Sequence, residues 1–167
     1  QMCIRDRLCA PLCDALLETP GSTSSQGMLN YLEQANLFLV PLDDERRWYR
    51  YHHLFADLLR ARLGESNPGL ANELHRLAAA WLEQNDRPVE AVSHALTSGD
   101  GPLAADMIER VGDRLASLAK MDVGLLLRWL QALPADLLRE RPRLRLFLSR
   151  ARYLSGDQEA GLRMLSE

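Results

Sequence analysis

The sequence predicts a mainly α-helical fold: a partial winged helix with one β-hairpin, followed by an α-helical repeat array. Three observations predict it. Helical spacing of apolar residues runs along most of the chain, from Leu8 to Leu154. One segment, Leu37–Leu42 and then Trp48–Tyr51, breaks that spacing with an aliphatic and aromatic pattern around a polar turn, Asp43-Asp44-Glu45. After residue 69 short helical patterns alternate with tight turns, which is the layout of stacked helical repeats.

The elements follow in order. Leu8, Leu12, Leu16 and Leu17 fall on one face of an expected helix over residues 8–18. Thr19-Pro20-Gly21-Ser22-Thr23-Ser24-Ser25 has loop composition. Gly27 to Ala35 returns to helix, with Met28, Leu29 and Leu32 apolar. Leu37 to Leu42 is strand-like, and Pro41, which cannot donate to a ladder, suits an edge strand. Trp48 to Tyr51 is the returning strand, and Leu54 to Leu63 is a helix. Helix, helix, hairpin is the order of a winged helix, with its first helix or two expected upstream. Residues 36–51 are expected to hold the only β structure, as a two-stranded hairpin.

Gly64-Glu65-Ser66-Asn67-Pro68-Gly69 has linker composition. Leu70, Leu74, Leu77, Trp81 and Leu82 share a helical face; Pro88 suits a first helical residue, and Val89, Val92, Ala95 and Leu96 form the next face. Leu103, Met107, Ile108, Val111, Leu115 and Leu118 mark a long amphipathic helix, and Val123 to Leu133 another, ended by Pro134. Pro142 to Leu154 and Asp157 to Ser166 complete the pattern. There is an internal echo. Asp86-Arg87-Pro88-Val89-Glu90-Ala91 is similar to Gly156-Asp157-Gln158-Glu159-Ala160, and Gly99-Asp100 to Gly156-Asp157.

Composition narrows the function classes. The 167 residues are 47% apolar, enough for a core, and carry a net charge of −3, so no strong global field draws the chain to nucleic acid or anionic lipid. No apolar run approaches the ~20 residues that span a bilayer, and residues 8–17 are too short and interrupted for a secretory signal. Cys9 and Cys13, one helical turn apart, could touch one ligand. With no second ligand pair at metal spacing they read as core-facing residues, and no metal is expected. Few cysteines and no export signal suggest the cytoplasm. The chain opens on Gln1, and its helical pattern runs to Glu167, so it is expected to be an internal piece of a longer protein. Residues 1–7 read as translated adapter sequence, a non-native scar outside the fold.

The stretch Trp48-Tyr49-Arg50-Tyr51-His52-His53-Leu54-Phe55-Ala56-Asp57-Leu58-Leu59-Arg60-Ala61-Arg62-Leu63 concentrates aromatic and basic residues where a strand hands over to a helix. With Asn36–Arg47 before it, it closely resembles the winged-helix segment of the MalT-like regulators, large ATP-binding transcription activators of the LuxR type. Leu125-Leu126-Leu127-Arg128-Trp129-Leu130-Gln131-Ala132-Leu133-Pro134 and Arg141-Pro142-Arg143-Leu144 are also similar to that family. The resemblance spans residues 8 to 167, with 36–63 and 125–144 the most specific parts. It implies a division into the scar (1–7), part of a winged helix (8–63), a linker (64–69), a helical arm (70–119), and the start of a tetratricopeptide-like (TPR-like) superhelix (120–167).

In the wider group of signal-transducing (STAND) ATPases a Met-His-Asp triplet opens this helix. Here Tyr51-His52-His53-Leu54 occupies the matching place. The resemblance implies that His52 contacts the β-phosphate of ADP in a closed resting state. His53 is a weaker candidate, standing where the wider group has an acidic residue. The chemistry suits: an imidazole donates to phosphate, and a helix N-terminus favours an anion. From spacing alone, the two read as partly exposed surface histidines capping a helix; the resemblance of the flanking residues is what turns the reading to a nucleotide-sensing His52. Arg46, Arg47, Arg50, Arg60 and Arg62 could form a DNA-binding wing, but Asp43, Asp44, Glu45 and Asp57 interleave with them, and a solvated face is favoured. Arg139, Arg141, Arg143, Arg145, Arg150 and Arg152 read likewise as a solvated face. His75 and His94 read as packing or surface residues, and Trp48, Trp81 and Trp129 as core anchors.

There is no Gly-x-x-x-x-Gly-Lys-Ser/Thr loop and no Ser/His/Asp or Cys/His constellation, so no enzyme activity or cofactor is expected of this segment itself. In the parent the resemblance implies slow ATPase activity, ATP or ADP, an upstream nucleotide-binding domain as partner, an effector on the superhelix, DNA bound only through a C-terminal domain, and no membrane. The segment would couple these parts. Two other readings stay open: a stand-alone helical-repeat interaction module, and a small winged-helix DNA-binding protein.

Overall fold

A computed structural model describes residues 7–17, 24–117 and 122–157. Residues 19–23 of the expected 19–25 loop, the side chain of Leu115, Leu118, and the expected 157–166 helix beyond Asp157 lie outside the described residues, as do residues 1–6, and Ser25, expected in the loop, opens a helix. The order is β1 (Arg7–Leu8), α1 (Ala10–Leu17), α2 (Ser25–Gln34), β2 (Leu39–Pro41), β3 (Tyr49–Tyr51), α3 (His53–Ser66), α4 (Leu70–Gln84), α5 (Pro88–Thr97), α6 (Gly101–Ser117), α7 (Val123–Gln131), α8 (Ala135–Glu140) and α9 (Pro142–Leu154). It is a mainly α fold with a small sheet, as the sequence predicts. The chain divides into two compact units, residues 1–90 and 91–167.

In the first unit the sheet is three-stranded and antiparallel, in the order β1-β3-β2. This corrects the expected two-stranded hairpin: Arg7 pairs with Arg50 and Leu8 with Tyr49. Arg7, assigned from sequence to residues outside the fold, is thus a sheet residue. A two-residue strand carries no readable period, and Leu8 also fits helical spacing with Leu12 and Leu16. Leu8 instead packs against the core cluster of Ala10, Leu29, Leu39 and Tyr49. Pro41 does lie on an edge strand, opposite Tyr49.

Tyr49 is fully buried. Its hydroxyl accepts from Gln26 Nε2 at 3.3 Å and donates to Asn30 Oδ1 at 3.2 Å, so the polar tip is satisfied while the ring fills the core. Asp14 on α1 accepts hydrogen bonds from the Ser25 hydroxyl and, at 3.4 Å, the Ser25 backbone N–H, tying α1 to the start of α2. A second core cluster joins Cys9, Leu12 and Ala78, with Leu16, Trp48 and Trp81 against it. The Arg87 guanidinium lies 4.3 Å from the Trp48 ring centroid and 2.9 Å from Glu90. Cys9 and Cys13 are free thiols, Cys9 buried. Leu17, placed by spacing on the apolar face, is exposed.

Helix α3 runs to Ser66, whose hydroxyl donates to the Arg62 carbonyl at 2.7 Å, so the expected linker over 64–69 shortens to Asn67–Gly69. Gly69 turns the chain at a φ of 98° that disfavours side chains. Helix α4, assigned from sequence to the following arm, packs against α1 and α3 within the first unit.

In the second unit α7 packs on α9, and α6 and α8 also pack on α9. Its core includes Met107, Ile108, Val111, Leu126, Trp129, Leu130, Leu144 and Leu148. Helix α8 is an addition that the sequence pattern does not mark. Asp100 caps α6 by accepting from the Leu103 N–H at 3.0 Å, and Asp122 caps α7 by accepting from Leu125 at 3.1 Å. Pro88 and Pro142 open α5 and α9, as expected.

Candidate functional site

His52 and His53 sit where β3 ends and α3 begins. His52 is the N-cap residue, with φ −57° and ψ 136°, and its backbone bends the chain from strand into helix. Its carbonyl accepts from the N–H groups of Phe55 and Ala56, each at 3.0 Å, which starts the helical ladder. Its own N–H donates to the Phe38 carbonyl at 2.7 Å, which ties the junction to the residue just before β2. The side chain makes no capping bond, which leaves the imidazole itself uncommitted to the helix.

Both imidazoles are exposed and their ring centroids lie 4.3 Å apart, tilted by 35°. Two adjacent rings with N–H donors, at the N-terminus of a 14-residue helix, have the donor chemistry that a phosphate would need. The residues present therefore fit the phosphate group that the resemblance implies. The surroundings are aromatic. Phe38 lies 5.1 Å from Phe55, and Tyr51 lies 5.6 Å from Phe55 edge-on. Burial, with the Cys13 thiol adding to it, pushes the Tyr51 hydroxyl pKa up, and burial pushes the Cys13 thiol up to about 11. Both groups hold their protons at neutral pH. Among the described residues no group of three or more His, Cys, Asp or Glu could hold a metal ion.

The other sequence candidates are dispersed or engaged. Arg46 pairs with Glu33 at 3.4 Å, Arg47 with Glu45, and Arg60 with Asp57 at 2.7 Å. Arg139 pairs with Asp136, Arg141 with Asp106 and Arg143 with Asp113. His94 is buried in α5, and His75 on α4 is half-buried. Phe38 and Phe55 escaped the sequence reading. Leu37–Leu42 reads as one strand, and nothing in a phenylalanine signals that it leaves the strand conformation. The one local hint is Asn36, a residue that tolerates a helix stop.

A family model, the MalT winged helix domain, matches residues 1–71. The chain is 37% identical over 151 residues to the serine/threonine-protein kinase PknK of Mycobacterium tuberculosis (strain CDC 1551 / Oshkosh), covering 90% of this chain and 13% of that protein. It is 35% identical over 143 residues to the HTH-type transcriptional regulator MalT of Klebsiella pneumoniae (strain 342), covering 84% of this chain and 16% of that one. The chain thus spans about a seventh of the length of these curated relatives. The match to the MalT winged helix domain and the identity to MalT over most of this chain make it a MalT-like fragment.

Proposed function

We propose that the chain is the coupling segment of a MalT-like, ATP-dependent transcription activator, relaying nucleotide and effector state to a DNA-binding domain outside it. One observation carries the reading. The same segment, at similar identity, lies within a protein named as a kinase and within one named as a helix-turn-helix regulator. A segment shared by proteins with such different named outputs is best read as the relay between input and output. No helix among the described residues is long and apolar enough to cross a membrane, which fits a cytoplasmic parent.

In this reading the exposed His52 imidazole donates to a phosphate oxygen of ADP held by the upstream domain, with His53 contributing less. ADP then favours the closed state. An effector on the helical superhelix, with ATP in place of ADP, favours the open state. The parent is a slow signal-transducing ATPase whose catalytic groups lie in the nucleotide-binding domain, and this segment contributes the sensor.

The test is His52→Ala in the full-length protein. A contact made only in the closed state stabilises that state, so its removal shifts the population toward the open one. A charge-assisted bond of roughly 1.5–3 kcal/mol corresponds to about a ten- to a hundredfold shift. ADP release should quicken and promoter output without inducer should rise, while His53→Ala does less. Unchanged release and unchanged basal output in a folded His52→Ala protein would overturn the sensor role.

A further inference from the structure

Among the described residues, those with a side chain and a positive φ are Asn36, Phe38, Arg46 and Asp86. Three have a local reason. Asn36, at φ 53°, ends α2: its N–H donates to the Glu33 carbonyl at 3.0 Å and the Leu37 N–H to the Leu32 carbonyl at 3.0 Å, the paired bonds of a helix stop. Asp86, at φ 56°, ends α4 in the same way, with the Arg87 N–H donating to Leu82 at 2.9 Å. Arg46 closes the hairpin turn, its N–H donating to the Asp43 carbonyl at 3.1 Å.

Phe38, at φ 58°, has no such reason. The helix has already stopped, and β2 has not begun. A left-handed backbone is unfavourable for a bulky side chain and persists where surrounding contacts impose it. Phe38 is also 57% exposed, so core burial is not what holds it there. Two contacts remain. The ring lies against Phe55 in the first turn of α3, at 5.1 Å and 32°. The carbonyl accepts from the His52 N–H at 2.7 Å. Both end on the junction that presents His52.

We infer that Phe38 is a positioning residue for His52: its ring, seated on Phe55, holds its left-handed backbone at the end of the β2–β3 ladder, where its carbonyl takes the His52 N–H as the last rung. The left-handed turn thereby fixes where β3 ends and in which direction the imidazole leaves the helix head. The consequence for nucleotide release rests on the sensor role proposed above for His52, whereas the clamp on the His52 backbone does not.

The experiment uses the full-length protein with Phe38→Ala, Phe38→Tyr and His52→Ala. Two quantities are followed: hydrogen exchange of the His52 amide, and release of a fluorescent ADP analogue. Alanine keeps the unfavourable φ but has no ring to hold it, so the His52 amide should exchange about tenfold faster, and release should quicken by a similar factor. Phe38→Tyr keeps the ring and should match the parent in both. Unchanged exchange in Phe38→Ala overturns the inference, and so does equal loss of protection in Phe38→Ala and Phe38→Tyr. If His52→Ala speeds release and Phe38→Ala does not, the inference falls and the sensor reading stands. If Phe38→Ala exposes the amide while His52→Ala leaves release unchanged, the clamp stands and the sensor reading falls.

Discussion

At the level of single residues, the chemistry of the first unit is set by which polar groups keep water. His52 and His53 keep it, side by side at the head of α3. Cys13 does not. Its thiol is pushed from the ordinary 9.0 to about 11, first by burial, then by the Cys9 thiol and Asp14 nearby. The sign follows from which state holds the proton. The folded state disfavours the thiolate, so this contribution to stability is complete below pH 9 and is lost as pH rises from 9 toward about 11. The thiolate is the reactive form, so at pH 8 the folded Cys13 should be alkylated by iodoacetamide about a hundredfold more slowly than the same residue in urea. Mass spectrometry that locates the label on Cys13 checks it, and a rate within a few-fold of the unfolded one would contradict the burial. The histidine pair was legible as a candidate because its aromatic and basic neighbours are distinctive. The clamp behind it was not: a phenylalanine's φ is imposed by the contacts of Phe55 and His52, and these contacts exist only after the hairpin has folded.

At the level of elements, periodicity was informative where elements are long and silent where they are short. The long helices α4, α6 and α9 lie where helical spacing predicts them, although Leu77 on α4 and Leu146 and Leu154 on α9 are exposed, and Pro88 and Pro142 open α5 and α9. The echo between Gly99-Asp100 and Gly156-Asp157 has a physical basis: both glycines adopt a positive φ, 74° and 99°, just past a helix end. β1, with two residues, and α8, with six, are too short for a period, and their places are set by the sheet and by α9. Gly64 has the look of a linker but lies inside α3, because a single glycine costs a helix only about 1 kcal/mol. Gly112 in α6 is a glycine of another kind. A Cβ there would lie 2.7 Å from Phe147 Cε2 and 3.1 Å from its Cζ, on α9. Gly112→Ala would gain up to about 1 kcal/mol of helix propensity but must displace a packed ring, at about 1–3 kcal/mol. A net loss of stability is expected, read from the urea midpoint of the second unit's transition. Gly112→Ala with Phe147→Leu should recover most of it. A single variant more stable than the parent would show that the ring yields freely.

At the level of the whole molecule, the question is whether the arginines make a nucleic-acid surface. The chain holds 20 Lys and Arg against 23 Asp and Glu, and the pairing is local. Arg46, Arg47, Arg60, Arg139, Arg141 and Arg143 each pair with a carboxylate, and Arg141 with a second, Glu109, at 3.8 Å. Exposed pairs of this kind add little stability, about 0–1 kcal/mol each. Their effect on binding is larger, because a guanidinium committed to a carboxylate must give up that partner before it can neutralise a phosphate. DNA affinity of the non-specific kind rises with the number of phosphates neutralised, and the salt slope counts them at about −0.9 each. The isolated chain should therefore bind duplex DNA no tighter than about 10⁻⁶ M at physiological salt, with a shallow slope and no sequence preference. Fluorescence anisotropy on a labelled duplex, repeated across a salt series and with a scrambled sequence, measures all three. Nanomolar affinity with a steep slope would mean that the arginines of the hairpin and α3 leave their carboxylates for phosphate. It would make the winged helix itself a DNA reader and displace the coupling role proposed for it. Weak, sequence-blind binding would leave recognition of DNA to a part of the parent other than this chain, as the coupling role requires.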